Sequence, residues 1–170
     1  ITHLGLNAAM MRLLPEYKEH GHLDRFRALT RGGRLFALGA GTLLAATGMA
    51  GLYLFGDHLT HAYMLPAYLA LICVPLFALT EVQDGIGRGQ AWIWIGLLPP
   101  YVLRPALVLV SMTAAWLAEL PMTATTAVGA AIVATWGAAI IQTLMLNRKL
   151  DAVISVGPRT YDFRGWFAVS

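Results

Sequence analysis

Charged residues are scarce in this chain of 170 residues: they make up 12%, against roughly 25% in soluble domains. Cysteine is nearly absent, because Cys73 is the single one. One thiol excludes a disulfide framework within the chain and a metal site built on several thiolates. Apolar residues are abundant instead, at 58%. Several apolar runs of about 20 residues indicate an integral membrane protein, because a soluble domain of this size cannot hide them.

Motifs for catalysis and metal binding are also missing. The sequence contains no Ser-His-Asp arrangement, no HExxH pair and no paired acidic metal motif. The run Gly85-Ile86-Gly87-Arg88-Gly89 is not a phosphate loop, because no strand precedes it and no Walker lysine follows; we interpret it as a helix exit and turn. The net charge of +3 sits mostly in a few loops, which is typical of membrane topology rather than nucleic-acid binding. We therefore predict a non-enzyme with no catalytic residue, metal, cofactor or nucleic-acid partner.

Four apolar stretches are long enough to cross a bilayer as helices. The predicted fold class is therefore all-α, a polytopic transmembrane helix bundle with partial helices at both ends. The N-terminal partial helix, residues 1–14, is expected to end at Pro15. The first residue is not methionine, and residues 166–170 begin a further apolar segment, so we expect a part of a longer protein. The predicted spans are residues 35–55, 62–80, 91–117 and 123–146.

The orientation of these spans follows from the basic residues. Residues 12–34 contain six Lys or Arg, residues 147–165 contain four, and the turn at 81–90 contains Arg88. The loops at 56–61 and 118–122 contain none. Because basic loops stay in the cytoplasm, the first three regions are predicted to be cytoplasmic. The longer cytoplasmic connections are 16–34, with a short amphipathic surface helix over 23–31, and 147–165.

Arg104 lies near the middle of the third span, among Pro99, Pro100 and Pro105. A charge at that depth costs about 2.5–3.5 kcal/mol unless it faces protein or water. At helical spacing, Tyr101, Arg104 and Ser111 form a polar stripe. The functional hypothesis is a cavity that holds an anion such as phosphate, for which the guanidinium offers a bidentate fork. The structural alternative is an ion pair, with Glu81 as the candidate acid.

A second group of charges follows the second span. Glu81, Asp84 and Arg88 share one helical face, with an acid four residues before the arginine. They are either an interfacial salt-bridge face, or a cytoplasmic gate or acid for ion coupling. Arg12 is explained by snorkelling to the interface; the alternative is an entrance role in recruiting an anionic lipid headgroup.

Four short motifs carry a resemblance to a known family: Leu14-Pro15-Glu16-Tyr17, Gln83 to Gly89, Leu103-Arg104-Pro105 and Pro158 to Trp166. In this order and orientation, they resemble motifs of the polysaccharide-transporter branch of the multidrug/oligosaccharidyl-lipid/polysaccharide flippase superfamily. The likeness covers nearly the whole sequence but less than half of a typical member. Residues 1–170 then resemble helices two to seven, part of the first of two helical bundles.

The resemblance implies a flippase in the bacterial inner membrane that moves lipid-linked oligosaccharides by alternating access. The lipid bilayer, the lipid-linked pyrophosphate and the second bundle of the longer chain are the implied partners. Arg104 would bind the pyrophosphate or an acidic sugar, and Arg12 and Arg88 would lie near the entrance. The alternatives are a cation-coupled exporter of the same superfamily, a membrane enzyme acting on lipid-linked sugars, and a structural membrane subunit.

Overall fold

The computed structural model describes residues 6–55, 61–154 and 157–158, and these residues are all-α. The expected helix pieces at 1–5 and 166–170, residues 56–60 of the outward loop and nearly all of the last motif lie outside the described residues. A π-helical turn, Pro99–Leu103, joins α5 to α6. The helices are α1 (Leu6–Glu19), α2 (Leu23–Phe55), α3 (His61–Ile72), α4 (Val74–Gly89), α5 (Ile93–Leu98), α6 (Arg104–Leu117) and α7 (Ala124–Val153).

These helices form four units that are long and apolar enough to cross a membrane. α2 and α7 are each one unit, α3 and α4 together make the second, and α5, the π turn and α6 make the third. The predicted fold class is thus confirmed, and the chain is a multi-pass membrane protein. The units span Leu23–Leu54, Met64–Gly89, Ile93–Leu117 and Ala124–Val153.

α1 continues through Pro15, so the helix end predicted there is wrong. Leu13, Leu14 and Tyr17 lie on a buried face, and α1 packs against α2 and α4. Burying each large apolar side chain contributes about 1.5–3 kcal/mol. That gain outweighs the tendency of a residue before proline to avoid the helical region.

A turn at His20-Gly21-His22 joins α1 to α2. Gly21 has a φ of +72°, in the left-handed region that glycine adopts without steric penalty. The N–H of His22 donates to the carbonyl oxygen of Tyr17 at 2.9 Å, which closes the end of α1.

The surface helix predicted over 23–31 is not a separate element, because α2 continues through Gly32 and Gly33. Gly33 is buried, and a Cβ at this position would collide with the Cε of Met10 on α1. The glycine thus permits close packing rather than breaking the helix. The 33 residues of α2 reach about 50 Å, which exceeds a hydrocarbon layer of about 30 Å. The basic first turns of α2 therefore extend beyond that layer.

The second span is broken near its middle. α3 ends at Ile72 and α4 begins at Val74, with Cys73 between them. Pro75 lies in the first turn of α4, where a missing N–H leaves no helical hydrogen bond unmade. Gly41 of α2 lies against this break, and a Cβ on it would be 2.7 Å from the Cα of Pro75.

The glycine-rich stretch at residues 85–89 forms the last turns of α4, which ends at Gly89, so the helix exit predicted there is confirmed. The turn follows at Gln90 and Ala91. A Cβ on Gly87 would lie 2.8 Å from the backbone nitrogen of Gly96 on α5. A Cβ on Gly89 would lie 2.8 Å from the carbonyl oxygen of Met10 on α1. Since α1 and α5 approach α4 so closely, these positions have no room for a side chain.

α7 is a single helix of 30 residues, Ala124–Val153. The hydroxyl of Thr123 accepts the backbone N–H of Thr126 and so caps the start of the helix. The helix continues to Val153, so the connection predicted at 147–165 begins with further turns of α7. Three alanines at a spacing of four residues are buried in the bundle, namely Ala130, Ala134 and Ala138.

Candidate functional site

Arg104 follows directly on the π-helical turn. Its backbone N–H donates to the carbonyl oxygen of Pro99, five residues earlier. Prolines at 99, 100 and 105 lack the N–H that an α-helical hydrogen bond needs. The π turn tolerates these prolines, because its hydrogen bond spans five residues and its donor is the N–H of Arg104, which is not a proline. π turns of this kind are frequent at functional sites.

A cavity of about 40 Å³ lies beside Arg104. A water molecule needs about 10–15 Å³ of such space, so the cavity has room for a few waters or a small ion. It is far smaller than the roughly 300 Å³ of a drug-sized pocket. Its walls come from α4, the π turn, α6 and α7, and the lining residues are Phe77, Thr80, Glu81, Pro100, Arg104, Thr135, Ala138 and Gln142.

Two contacts fix the Arg104 guanidinium. Its Nε donates to the hydroxyl oxygen of Thr135 at 3.2 Å, and its central carbon lies 4.1 Å from the ring centroid of Phe77. The second distance is that of a cation–π interaction. Thr135 is only 2% exposed, so the bundle holds this hydroxyl in place. With Nε engaged, the Nη1 and Nη2 groups make no hydrogen bond to a described residue, and they remain as donors.

The cavity also holds an acid and an amide. Glu81 lines it, but no ion pair joins the Glu81 carboxylate to Arg104 among the described residues. The structural pair considered from the sequence is therefore not formed. Gln142 is fully buried, and its Oε1 has no hydrogen-bond partner within the described part of the chain. Its Nε2 makes only long contacts, 3.4 Å to the carbonyl of Ile95 and 3.5 Å to that of Gly96.

Of the predicted stripe of Tyr101, Arg104 and Ser111, Arg104 alone lines this cavity. Tyr101 is 63% exposed, and Ser111 is partly buried outside the lining. Pro100 occupies the place expected for Tyr101. The π turn explains this difference. Because it has more residues per turn than an α-helix, it brings Pro100, rather than Tyr101, onto the same face as Arg104.

The three charges at the end of the second span separate into two places. Asp84 and Arg88 form a bidentate ion pair on α4, as the salt-bridge interpretation of these two residues predicts. Asp84 is buried at 2% exposure, and a Cβ on Gly96 would lie 2.9 Å from its Oδ1. Glu81 lies instead with Arg104 at the cavity. Arg12 is exposed on α1 and does not contribute to the cavity.

Sequence analysis missed three residues of the site, namely Phe77, Thr135 and Gln142. A signal for two of them is present, since Thr135 and Gln142 are polar residues in an apolar helix, seven positions apart. That spacing puts them on the same face, together with Ala138. Phe77 gives no such signal, because an aromatic residue in a membrane span is ordinary. Chemically, the assembled site places a guanidinium with free donors, an acidic residue and a buried amide in the lining of one small cavity.

The chain matches no protein-family model, no curated protein and no solved structure. The resemblance to the flippase superfamily therefore stays a prediction.

Proposed function

We propose that the chain is part of a transporter that moves lipid-linked oligosaccharides across the bacterial inner membrane by alternating access. In this proposal, Arg104 binds the pyrophosphate or an acidic sugar of the substrate. One observation carries it: a guanidinium in a membrane span is fixed by Thr135 and Phe77, is not ion-paired to Glu81, and keeps both Nη groups available. Arginine is well suited to this task, because its planar fork matches phosphate oxygens.

The small cavity corresponds to a closed form of the site. A pyrophosphate with sugars attached does not fit into about 40 Å³, so the walls from α4 and α7 have to separate from α6 before the substrate binds. Alternating access supplies such movements. Because charges within membrane spans are expensive, the presence of Arg104 in this span is better explained by a function than by packing alone.

A second candidate is a cation-coupled exporter of the same superfamily. Glu81 favours it, because this acid lines the cavity beside Arg104. The two candidates differ in the sign of the transported group: Arg104 is the binding residue for an anion, whereas Glu81 is the binding residue for a cation.

Binding of farnesyl pyrophosphate to the purified full-length protein in nanodiscs tests the proposal. We expect Arg104→Ala to weaken binding at least tenfold, which is about 1.4 kcal/mol. Arg104→Lys retains part of the affinity, because a point charge does not replace the fork. Arg148→Ala is the matched control, since Arg148 is exposed on α7 outside the cavity.

Three results would count against the anion site. Equal loss from Arg104→Ala and Arg148→Ala assigns binding to surface charge. Loss of folded protein in both Arg104 variants assigns a structural role to Arg104. Binding of an organic cation that depends on Glu81, without binding of farnesyl pyrophosphate, favours the exporter.

A further inference from the structure

A groove of about 340 Å³ lies between the end of α1 and the turn that joins α4 to α5. Its volume is within the range of about 300–1,000 Å³ that is usual for small-molecule sites. It shares no lining residue with the cavity beside Arg104, so it is a separate place on the molecule. The residues that line it are Pro15, Lys18, Glu19, Gly89, Gln90 and Ala91.

The groove lies at the level where the apolar spans end. The second membrane-spanning unit ends at Gly89 and the third begins at Ile93, so Gln90 and Ala91 lie at the edge of the hydrocarbon layer. Trp94, which follows shortly after, is exposed, and tryptophan is enriched at this level of membrane proteins. A molecule in the groove is therefore next to the phospholipid headgroups.

Lys18 and Glu19 give the groove one charge of each sign. Both side chains are exposed, and neither forms an ion pair within the described part of the chain. A ligand that carries both an anionic and a cationic group complements this pair. A ligand with a single charge leaves one of the two side chains unmatched.

The rest of the lining favours the cationic group of such a ligand. α1 ends at Glu19 and α4 ends at Gly89, so two helix C-termini, each with a partial negative charge, meet at the groove. Gln90 is 8% exposed, and its Oε1 has no hydrogen-bond partner among the described residues. Its Nε2 lies 3.5 Å from the carbonyl oxygen of Gly89, which leaves Oε1 as the free end of the amide. A buried acceptor without a partner is costly, and an N–H group of a ligand is the partner that it lacks.

We propose that the groove binds the headgroup of a phospholipid that carries a primary ammonium, as phosphatidylethanolamine does. In this site, Lys18 binds the phosphate, and Glu19 and the Gln90 amide oxygen accept hydrogen bonds from the ammonium. The site is independent of Arg104 and of any transported cargo.

The same lining distinguishes this headgroup from two others. A quaternary ammonium, as in phosphatidylcholine, has no N–H to donate and is typically bound by aromatic rings, and the described lining contains none. A headgroup without a cation, as in phosphatidylglycerol, leaves the Glu19 carboxylate unmatched.

Native mass spectrometry of the purified full-length protein, titrated with short-chain forms of these three lipids, measures the affinity for each headgroup. We expect one phosphatidylethanolamine per protein to bind about fivefold more tightly than either other lipid, which is the effect of a favourable exposed charge pair. Glu19→Gln should abolish this preference. Lys18→Gln should weaken the binding of all three lipids by a similar factor, because each carries a phosphate.

Glu16→Gln and Lys149→Gln are the matched controls, since both residues are exposed and lie outside the groove. Both variants should retain the wild-type preference. Glu19→Lys provides a gain of function, because two ammonium groups in the groove should shift the preference to phosphatidylglycerol. All of these positions are exposed, so the midpoint of thermal unfolding should stay unchanged.

Three results would overturn the headgroup site. Equal affinity of the wild-type protein for the three lipids would show binding that does not distinguish the headgroup. Equal loss of the preference in Glu19→Gln and Glu16→Gln would assign it to the overall charge of α1. Competition by soluble glycerophosphoethanolamine, at the same concentration as the lipid, would assign the groove to a soluble zwitterion. Since none of these results involves transport or Arg104, the proposed function is tested separately.

Discussion

The direction of the Arg104 fork depends on a hydroxyl and a ring. Thr135 accepts the Nε–H and the Phe77 ring lies 4.1 Å from the central guanidinium carbon, so both contacts leave the two Nη groups without a hydrogen bond to a described residue. An arginine without these contacts would lose side-chain entropy on binding an anion, at a cost of up to about 2 kcal/mol. Thr135 and Phe77 are therefore positioning residues, which prepare Arg104 without touching the ligand.

Thr135→Val tests the positioning by removing the hydroxyl while keeping the side-chain shape. A hydrogen bond to a charged group contributes about 1.5–3 kcal/mol, so we expect affinity for farnesyl pyrophosphate to fall about tenfold. Thr135→Ser keeps the hydroxyl and should restore most of the affinity. Binding to folded protein in nanodiscs is the measurement. A valine variant that matches the serine variant would remove Thr135 from the site.

Membership of the site could be predicted from the sequence for a residue whose charge conflicts with its apolar surroundings. It could not be predicted for a residue whose direction depends on the local winding of the helix. Arg104 is evident as a charge inside an apolar run. Tyr101 is expected on the cavity face from α-helical spacing, but it lies in a π turn, whose winding differs. That spacing therefore gives the wrong direction for this residue. Whether Glu81 pairs with Arg104 depends on side-chain geometry in the folded bundle, about which the sequence contains no information.

At the scale of elements, α4 packs closely against the helices on both of its sides. Its glycine-rich end contacts α1 on one side and α5 on the other, with Gly87 against the backbone of Gly96. Close helix contact through small residues is the usual means of packing in membranes, where lipid removes the hydrophobic drive between helices. This packing positions α5, whose Ile95 and Gly96 carbonyls lie near Gln142 at the cavity.

Gly87→Ala should lower the midpoint of thermal unfolding in detergent, because a Cβ meets backbone that cannot move aside. Overpacking of this kind costs about 1–3 kcal/mol. Gly39→Ala in α2 is the control, since no atom of the surroundings lies within 4 Å of a Cβ there. It should leave the midpoint unchanged or raise it, because alanine favours helix by up to about 1 kcal/mol. Equal midpoints for the two variants would contradict the close contact of α4 and α5.

Element types could be predicted from length and hydropathy, and all four spans are confirmed. The residues at which the helices end could not be predicted in this way. Pro15 and Gly33 are helix-breaking residues in an isolated chain, yet α1 and α2 continue through them, because the packing between these helices outweighs local preference. The glycines at 85–89 form a turn signal in sequence and a packing surface in the structure.

In the molecule as a whole, burial is concentrated at the end that the basic residues predict to be cytoplasmic. Met10, Leu14, Phe26 and Ile86 are fully buried there, from α1, α2 and α4. The middle of the spans instead presents apolar side chains outward. Such faces are expected where lipid or another helical bundle covers the protein. The exposed large apolar residues of α2, α6 and α7 include Leu43, Leu54, Leu109, Val110, Val133 and Ile140.

The orientation and the cargo are properties of the whole protein in its membrane. The basic residues predict the orientation, and the cavity supports an anionic cargo.

Leaflet-resolved translocation of a labelled lipid-linked oligosaccharide, with the full-length protein in vesicles, tests the central claim most directly. We predict that the wild-type protein moves the lipid to the other leaflet, that Arg104→Ala does not although it is folded and inserted, and that Arg104→Lys retains a fraction of the rate. If the folded wild-type protein leaves the lipid in its original leaflet, or if Arg104→Ala translocates it at the wild-type rate, the account is contradicted.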